Sequence, residues 1–155
     1  MLTLFYFGFY KIKYRNLYNS KTKTKFSILV PFRNEEENLI PLLNSLKNID
    51  YPTSHFEVIL IDDFSTDNSK NIIEQYCNTN TIENFKIISN QKNNRSPKKT
   101  ALLEGIKTTQ YPWVISTDAD CIIPKNWLLS YNCIISKDQP DTVCGPVSFI
   151  LDSNF

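Results

Sequence analysis

The sequence has 155 residues but only three glycines and one histidine, and it lacks the short glycine-rich motifs that commonly hold phosphate groups. Neither G-x-G-x-x-G nor G-x-x-x-x-G-K-[ST] occurs, so the usual glycine-loop phosphate sites are excluded. The four cysteines, Cys77, Cys121, Cys133 and Cys144, form no C-x-x-C pair, and the single histidine is His55. A zinc site and a Ser-His or Cys-His mechanism are therefore disfavoured, and we expect reduced thiols that mostly fill the core.

The chain has no overall excess of charge, but its charges are unevenly distributed. It contains 17 Lys and Arg against 16 Asp and Glu, and 41% of its residues are hydrophobic, which favours a packed globular domain. Residues 1–34 hold seven bases and no acid, so the remaining 121 residues carry 10 bases against 16 acids, a net charge of −6. This pattern predicts a basic leader before an acidic domain and disfavours nucleic-acid binding.

The first ten residues, MLTLFYFGFY, are apolar and aromatic but too few to cross a membrane, which takes about 20 residues. The bases follow this stretch, whereas a secretory signal peptide places them before it. An apolar stretch followed by bases suits the last turns of a membrane helix whose bases lie on the cytoplasmic side. We expect residues 1–25 to be a leader at the cytoplasmic face of the cell membrane and 26–155 to be the folded domain. The alternatives are a frayed or core-packed terminus and a cytoplasmic protein.

Apolar, β-branched runs alternate with segments of helical periodicity along the rest of the chain. Strands are predicted over 26–30, 56–61, 85–89, 113–116 and 142–150. Helices are predicted to start at 34–37, after caps at 65–67, at 96–97 and at 124, with the third packing through Ala101, Leu102 and Ile106. This alternation predicts an α/β fold, an open and mostly parallel sheet with helices on both faces.

Three of the predicted strands end in polar clusters, at 31–35, 62–63 and 118–120. Ligands of open parallel sheets bind beyond the carboxyl ends of the strands, so the clusters are expected to share one crevice. Asp118-x-Asp120 offers hard oxygen ligands for Mg²⁺ or Mn²⁺ completed by water and phosphates, although a lone D-x-D is often only a turn.

Other polar residues, in these clusters and at positions 98–99, suit a nucleotide. Asp62 and Asp63 can accept hydrogen bonds from a base or a ribose. Arg33, Lys98 and Lys99 are candidate partners for phosphate.

Four motifs in this order resemble the N-terminal, nucleotide-sugar-binding portion of family 2 glycosyltransferases, inverting enzymes with a Rossmann-like GT-A fold. The motifs are SILVPFRNEE at 27–36, VILIDDFSTDNS at 58–69, KKTALLEGI at 98–106 and TDADCIIPKNW at 117–127. The Asp-Asp-x-Ser-x-Asp segment is the most diagnostic, and the resemblance covers about residues 25–150.

The resemblance implies a role for each matching residue. By this resemblance, Pro31 and Glu35 line the nucleotide pocket, and Asp63 binds the base with Asp62 beside it. Lys98 or Lys99 takes the family's basic position. Asp118 contacts the ribose, and Asp120 binds Mn²⁺ or Mg²⁺. Trp127 also fits the family, and a core position on a helix face is the alternative for it.

The resemblance implies an enzyme that takes a nucleoside diphosphate sugar, with UDP-sugars favoured, and an acceptor that the sequence does not identify. Every matched carboxylate is assigned to the donor or the metal, so the general base is expected beyond Phe155 and the GT-A domain is expected to be incomplete at its C-terminus. One alternative is a noncatalytic nucleotide-sugar-binding module or a degenerate subunit that needs a partner chain. A second alternative is a nucleotidyltransferase, which is disfavoured because no glycine-rich basic loop follows the first strand.

Overall fold

The computed structural model describes residues 23–90, 97–145 and 147–148, and the predictions for 1–22 lie outside these residues. Four strands form one parallel sheet in the order β3-β2-β1-β4. They are β1 (Phe26–Phe32), β2 (Phe56–Asp62), β3 (Phe85–Ser89) and β4 (Trp113–Ser116). The helices are α1 (Leu39–Lys47), α2 (Ser69–Asn80), α3 (Pro97–Lys107) and α4 (Trp127–Asp138), with a short 3-10 turn at Thr53–His55.

Helices cover both faces of the sheet, which confirms the predicted α/β class. Alternate residues of β1 point to opposite faces, and all seven are buried. The larger core joins Phe26, Ile28 and Val30 to leucines of α1, to Ile73 of α2 and to Leu128 of α4. The smaller core joins Leu29 to Ile59, Ile61 and Ala101 of α3.

The first two helices begin later than the sequence predicts. Helix α1 starts at Leu39 instead of 34–37, because Asn34 has a left-handed φ of 55° and a turn follows it. Helix α2 starts at Ser69 with Asn68, not a residue of 65–67, at its N-cap, and the Ser65 and Asp67 side chains accept hydrogen bonds from the loop that follows β1. The four leucines of α1 are buried as expected.

The packing of α3 and the start of α4 also differ from expectation. Ile106 is 48% exposed, and α3 instead approaches the sheet through Ala101 and Gly105. A Cβ on Gly105 would lie 2.5 Å from Ile61 Cδ1, so only glycine fits this close approach without displacing a neighbour. Helix α4 begins at Trp127 rather than at Pro124, whose carbonyl accepts the Trp127 N–H in a preceding turn.

The predicted last strand over 142–150 is not formed in its described residues, 142–145 and 147–148. Val147 is 83% exposed, and neither stretch pairs with the sheet. Pro146 cannot donate a backbone hydrogen bond, so the Gly145-Pro146 pair interrupts any ladder there. The other residues of this prediction lie outside the described part of the chain.

The four cysteines form no disulfide with one another, and they fill the core less than expected. Cys77, Cys121 and Cys133 are half-buried, and Cys144 is exposed. Burial raises the pKa of the Cys77 thiol. Within residues 23–90, 97–145 and 147–148, no helix is long and apolar enough to cross a membrane.

Candidate functional site

One cleft of about 230 Å³ opens at the carboxyl ends of β1, β2 and β4. Its lining includes seven of the nine predicted site residues: Pro31, Arg33, Glu35, Asp63, Lys98, Asp118 and Asp120. Phe32 and Ala119 also line it, and sequence reasoning missed them because neither carries a polar group. Asp62 and Lys99 are not among the lining residues.

The first wall of the cleft follows β1. Pro31 and Phe32 are buried, whereas Arg33 is exposed and Glu35 is half-buried. A Glu35 side-chain oxygen accepts a hydrogen bond of 2.7 Å from the Asn38 amide. This wall therefore combines an apolar floor with one exposed cation and one fixed carboxylate.

The second wall follows β2 and contains a nearly buried carboxylate, Asp63, which is only 5% exposed. Its Oδ1 accepts a 2.7 Å hydrogen bond from the side-chain amide of Asn90, which is itself buried. Asp62 turns instead to its own loop, where Oδ1 accepts the Ser65 N–H at 2.9 Å. No pattern in the sequence signals this contact between Asn90 and Asp63.

The third part of the cleft follows β4. Ala119 is buried in the core, which leaves Asp118 and Asp120 exposed on either side of it. Lys98, in the first turn of α3, forms a 2.6 Å ion pair with Asp118. The two side chains are 63% and 54% exposed, so water screens this pair.

The charges of the lining residues limit what the cleft can bind. Four carboxylates face two cationic side chains, so a diphosphate entering alone would meet a net negative site. Among the described residues, no three His, Cys, Asp or Glu side chains form a metal-binding group. Two carboxylates on the Asp118–Asp120 loop nevertheless suit a hard divalent cation that takes its other ligands from water and phosphate.

Trp127 lies outside the cleft lining. Its ring is half-buried and packs edge-on against Tyr131, with ring centroids 5.5 Å apart, and both contact the larger core. The core interpretation therefore fits Trp127 better than a ligand contact.

A family model described as Glycosyl transferase family 2 matches residues 27–155, and the chain belongs to this family. The poly(ribitol-phosphate) β-N-acetylglucosaminyltransferase TarS of Staphylococcus aureus strain Mu50 is 33% identical over 119 residues, which are 77% of this chain and 20% of TarS. A poly(ribitol-phosphate) β-glucosyltransferase of Bacillus spizizenii is 30% identical over 81% of this chain and 19% of its own length. The chain thus spans about a fifth of the length of these relatives.

Solved structures agree with the fold. The structure of S. aureus TarS 1–349 in complex with UDP-GlcNAc matches with a TM-score of 0.65 and 33% identity over 75% of this chain and 32% of that one. A mannosyltransferase from Pyrobaculum calidifontis, solved with GDP-Man and Mn²⁺, has a TM-score of 0.72 at 20% identity over 86% of this chain and 39% of its own, which supports the fold alone. The sheet and helices described above are those of a GT-A glycosyltransferase.

Proposed function

We propose that this chain is the donor-binding portion of a glycosyltransferase that uses a nucleoside diphosphate sugar, with UDP-sugars favoured. The observation that carries the proposal is one cleft that brings together Asp63, the Asp118–Asp120 pair and Lys98 from three separate segments. The TarS structure supports a uridine nucleotide, because that relative was solved with UDP-GlcNAc.

Each wall of the cleft would bind a different part of the donor. Asp63 suits an N–H donor of the base, since a carboxylate accepts such hydrogen bonds and Asn90 holds this one in place. Pro31 and Glu35 would flank the nucleotide, with Asp62 supporting the loop behind Asp63.

The phosphates require positive charge. Arg33 and Lys98 would each contact a diphosphate oxygen, and Lys99, one residue on, is the alternative basic partner. Asp118 and Asp120 would hold Mn²⁺ or Mg²⁺, which when bound would stabilise the negative charge of the departing nucleoside diphosphate. Asp118 would also reach the ribose.

Transfer breaks the bond between the sugar and the diphosphate and joins the sugar to an acceptor oxygen. A base must take the acceptor's proton, and every cleft carboxylate already has a role toward the donor or the cation. We therefore assign the donor half of the reaction to this cleft and place the base on residues other than these.

Calorimetry with UDP and UDP-GlcNAc, with and without Mn²⁺, tests the proposal. We expect Mn²⁺-dependent binding that Asp120→Asn weakens at least about tenfold, the loss of one charged ligand. Asp50→Asn is the matched control, because Asp50 is an exposed aspartate outside the cleft whose backbone N–H donates a hydrogen bond to the Lys125 carbonyl. Absence of binding to any nucleoside diphosphate sugar, or equal affinity in the Asp120 variant, would refute the proposal.

We also propose that the leader, residues 1–25, binds anionic membrane at the cytoplasmic face. Its six bases would each contribute about 1 kcal/mol near such a surface. Lys23 and Lys25 lie over the rings of Tyr51 and Tyr111, 5.1 and 5.4 Å from the ring centroids, next to the start of β1. The leader would therefore join the domain at the sheet end opposite the cleft.

Flotation with anionic and neutral liposomes tests this second proposal. The chain should float with anionic vesicles in low salt, lose most of that binding in high salt, and lose most of it when residues 1–22, which carry four of the six bases, are removed. Equal flotation of the shortened chain would refute a role for the leader.

A further inference from the structure

Six hydrogen bonds join the loop after β1 to the loop after β2 across 31 to 34 positions of sequence. We call this set the loop bracket. Its bonds are Asn34 N to Ser65 Oγ (3.1 Å), Glu35 N to Ser69 Oγ (2.9 Å), Glu36 N to Asp67 Oδ2 (3.2 Å), Thr66 N and Thr66 Oγ1 to Asn34 Oδ1 (2.8 and 3.3 Å), and Asn68 N to Glu36 Oε2 (3.0 Å).

The bracket is reciprocal, since each loop supplies side-chain acceptors to backbone N–H groups of the other. Asn34 both donates its N–H to Ser65 and accepts two hydrogen bonds from Thr66. Both loops turn sharply at a left-handed residue, with φ values of 55° at Asn34 and 61° at Phe64. Left-handed backbone is costly for a residue as bulky as phenylalanine, so the surrounding contacts must hold it.

Asp67 extends the bracket into helix α2. Its second oxygen, Oδ1, accepts the Ser69 N–H at 3.0 Å, so one carboxylate ties the β1 loop to the first turn of α2. Desolvation raises the pKa of Asp67, but hydrogen bonds from Ser69 and Glu36 outweigh it and leave the pKa lowered. The charged form of Asp67 therefore holds the bracket at neutral pH.

The bracket lies directly behind two walls of the cleft. Arg33 and Glu35 flank Asn34 and line the cleft, whereas Asp63 lies two residues before Ser65. Asn34 and Ser65 themselves are not lining residues. Any shift between the two loops would thus move Glu35 relative to Asp63.

We propose that Asn34, Ser65, Asp67 and Ser69 are positioning residues that lock the two loops into one unit and so set the spacing of the nucleotide pocket. This inference rests on the proposed nucleotide-sugar function. It assigns these residues an effect on donor affinity without any contact to the donor.

A purely structural role is the competing explanation, and the chain offers a matched control for it. The Tyr76 hydroxyl donates a 2.7 Å hydrogen bond to Asn44 Oδ1, which joins α1 to α2 across 32 positions of sequence. Asn44→Ala removes an asparagine acceptor between the two helices that follow these loops, away from the cleft lining. Asn34→Gly removes the bracket's acceptor while permitting the left-handed φ, and Asn34→Asp retains both an acceptor and tolerance of that φ.

Calorimetry with UDP and Mn²⁺ compares the three variants with the parent chain. We expect Asn34→Gly to weaken UDP binding about tenfold, Asn34→Asp to stay within about threefold of the parent, and Asn44→Ala to bind like the parent. If Asn34→Gly binds as tightly as the parent chain, or no more weakly than Asn44→Ala, the positioning role is refuted.

Amide hydrogen exchange separates failure of this inference from failure of the proposed function. In Asn34→Gly the N–H groups of Glu36 and Asn68, which do not bond Asn34, should exchange faster together with that of Thr66. Faster exchange at Thr66 alone would refute a single locked unit. If the parent chain fails to bind UDP, the proposed function fails, whereas parent binding with unchanged affinity in Asn34→Gly overturns only the positioning role.

Discussion

Replacing Glu57 with alanine should destabilise the fold more than removing any exposed ion pair. Glu57 lies near the start of β2, is only 3% exposed, and accepts three hydrogen bonds. The donors are Ser27 Oγ at 2.6 Å, the Gln110 N–H at 2.6 Å and Lys86 Nζ at 2.8 Å. The carboxylate thus ties together β1, β3 and the segment before β4.

The magnitude follows from what each donor loses. Lys86 is 39% exposed and its ammonium can be hydrated in the variant, so the lost ion pair adds little to the loss of unfolding free energy. The buried Ser27 hydroxyl and the Gln110 N–H would lose a charged acceptor, at about 1–3 kcal/mol each. We expect Glu57→Ala to lower the free energy of unfolding by about 2–6 kcal/mol, and Glu57→Gln, which keeps one acceptor oxygen, by about 1–2 kcal/mol.

Urea unfolding measures both losses. The control is Lys107→Ala, which removes an exposed lysine from a 2.8 Å pair with the half-buried Glu104 of α3 and should cost less than about 0.5 kcal/mol. If Glu57→Ala costs no more than Lys107→Ala, the buried carboxylate does not organise this end of the sheet and the reasoning is wrong.

The same carboxylate gives the stability a defined pH dependence. Burial raises the pKa of Glu57, but hydrogen bonds from Lys86, Ser27 and Gln110 outweigh it, so the pKa is lowered. A carboxyl whose pKa is lower in the folded state stabilises it fully above the unfolded pKa of about 4.3, and that contribution is lost as the pH falls through the folded pKa. The stability difference between the parent and Glu57→Gln should therefore be largest near neutral pH and shrink in acid. A difference that grows on acidification would contradict the assigned direction.

Two further substitutions test the packing of α3 and the contact of residue 24. Gly105→Ala should lower the free energy of unfolding by about 1–2 kcal/mol in urea, because its Cβ would meet Ile61 Cδ1 at 2.5 Å and Leu29 Cδ2 at 3.2 Å, partly offset by alanine's helix propensity. If Gly105→Ala proves more stable than the parent chain, the side chains of Ile61 and Leu29 move aside at little cost and the reasoning is wrong. Tyr51→Phe should cost about 1 kcal/mol, since the Tyr51 hydroxyl donates a 2.7 Å hydrogen bond to the Thr24 carbonyl and burial raises the pKa of Tyr51 to about 12, so it remains a donor. Unchanged unfolding of Tyr51→Phe would show that this contact adds nothing.

The four strands of the sheet were predictable from local sequence as short apolar runs, and polar or charged residues follow β1, β2 and β4. Residues 31–33, 35, 63 and 118–120 therefore line one cleft, as expected. The starts of α1 and α2 were not predictable in this way. The sequence predicts a helix start at 34–37 and caps at 65–67, but Asn34, Ser65, Thr66 and Asp67 form hydrogen bonds that cross between the two loops.

Packing explains the remaining differences. Helical periodicity places Ile106 on the face of α3 that carries Leu102, but the closest approach to the sheet is made by Gly105, which has no side chain to register in an apolar pattern. Asn90 was likewise not identified from the sequence, since its amide reaches Asp63 from the end of the neighbouring strand β3. Sequence periodicity reports which residues are apolar, but not which backbones approach most closely.

The two ends of the sheet show why only one of them suits a ligand. At the amino ends of β1 and β2, Ser27 and Glu57 are both buried and their hydrogen-bonding partners come from the protein itself. At the carboxyl ends of the same strands, Arg33 is exposed and Asp63 lines an open cleft. Charge enclosed by protein donors contributes to stability, whereas charge that faces a solvent-filled cleft remains available to an incoming ligand. The polar groups of one sheet are thus divided between holding the strands together and offering a binding surface, and the loop bracket connects the second role to the first.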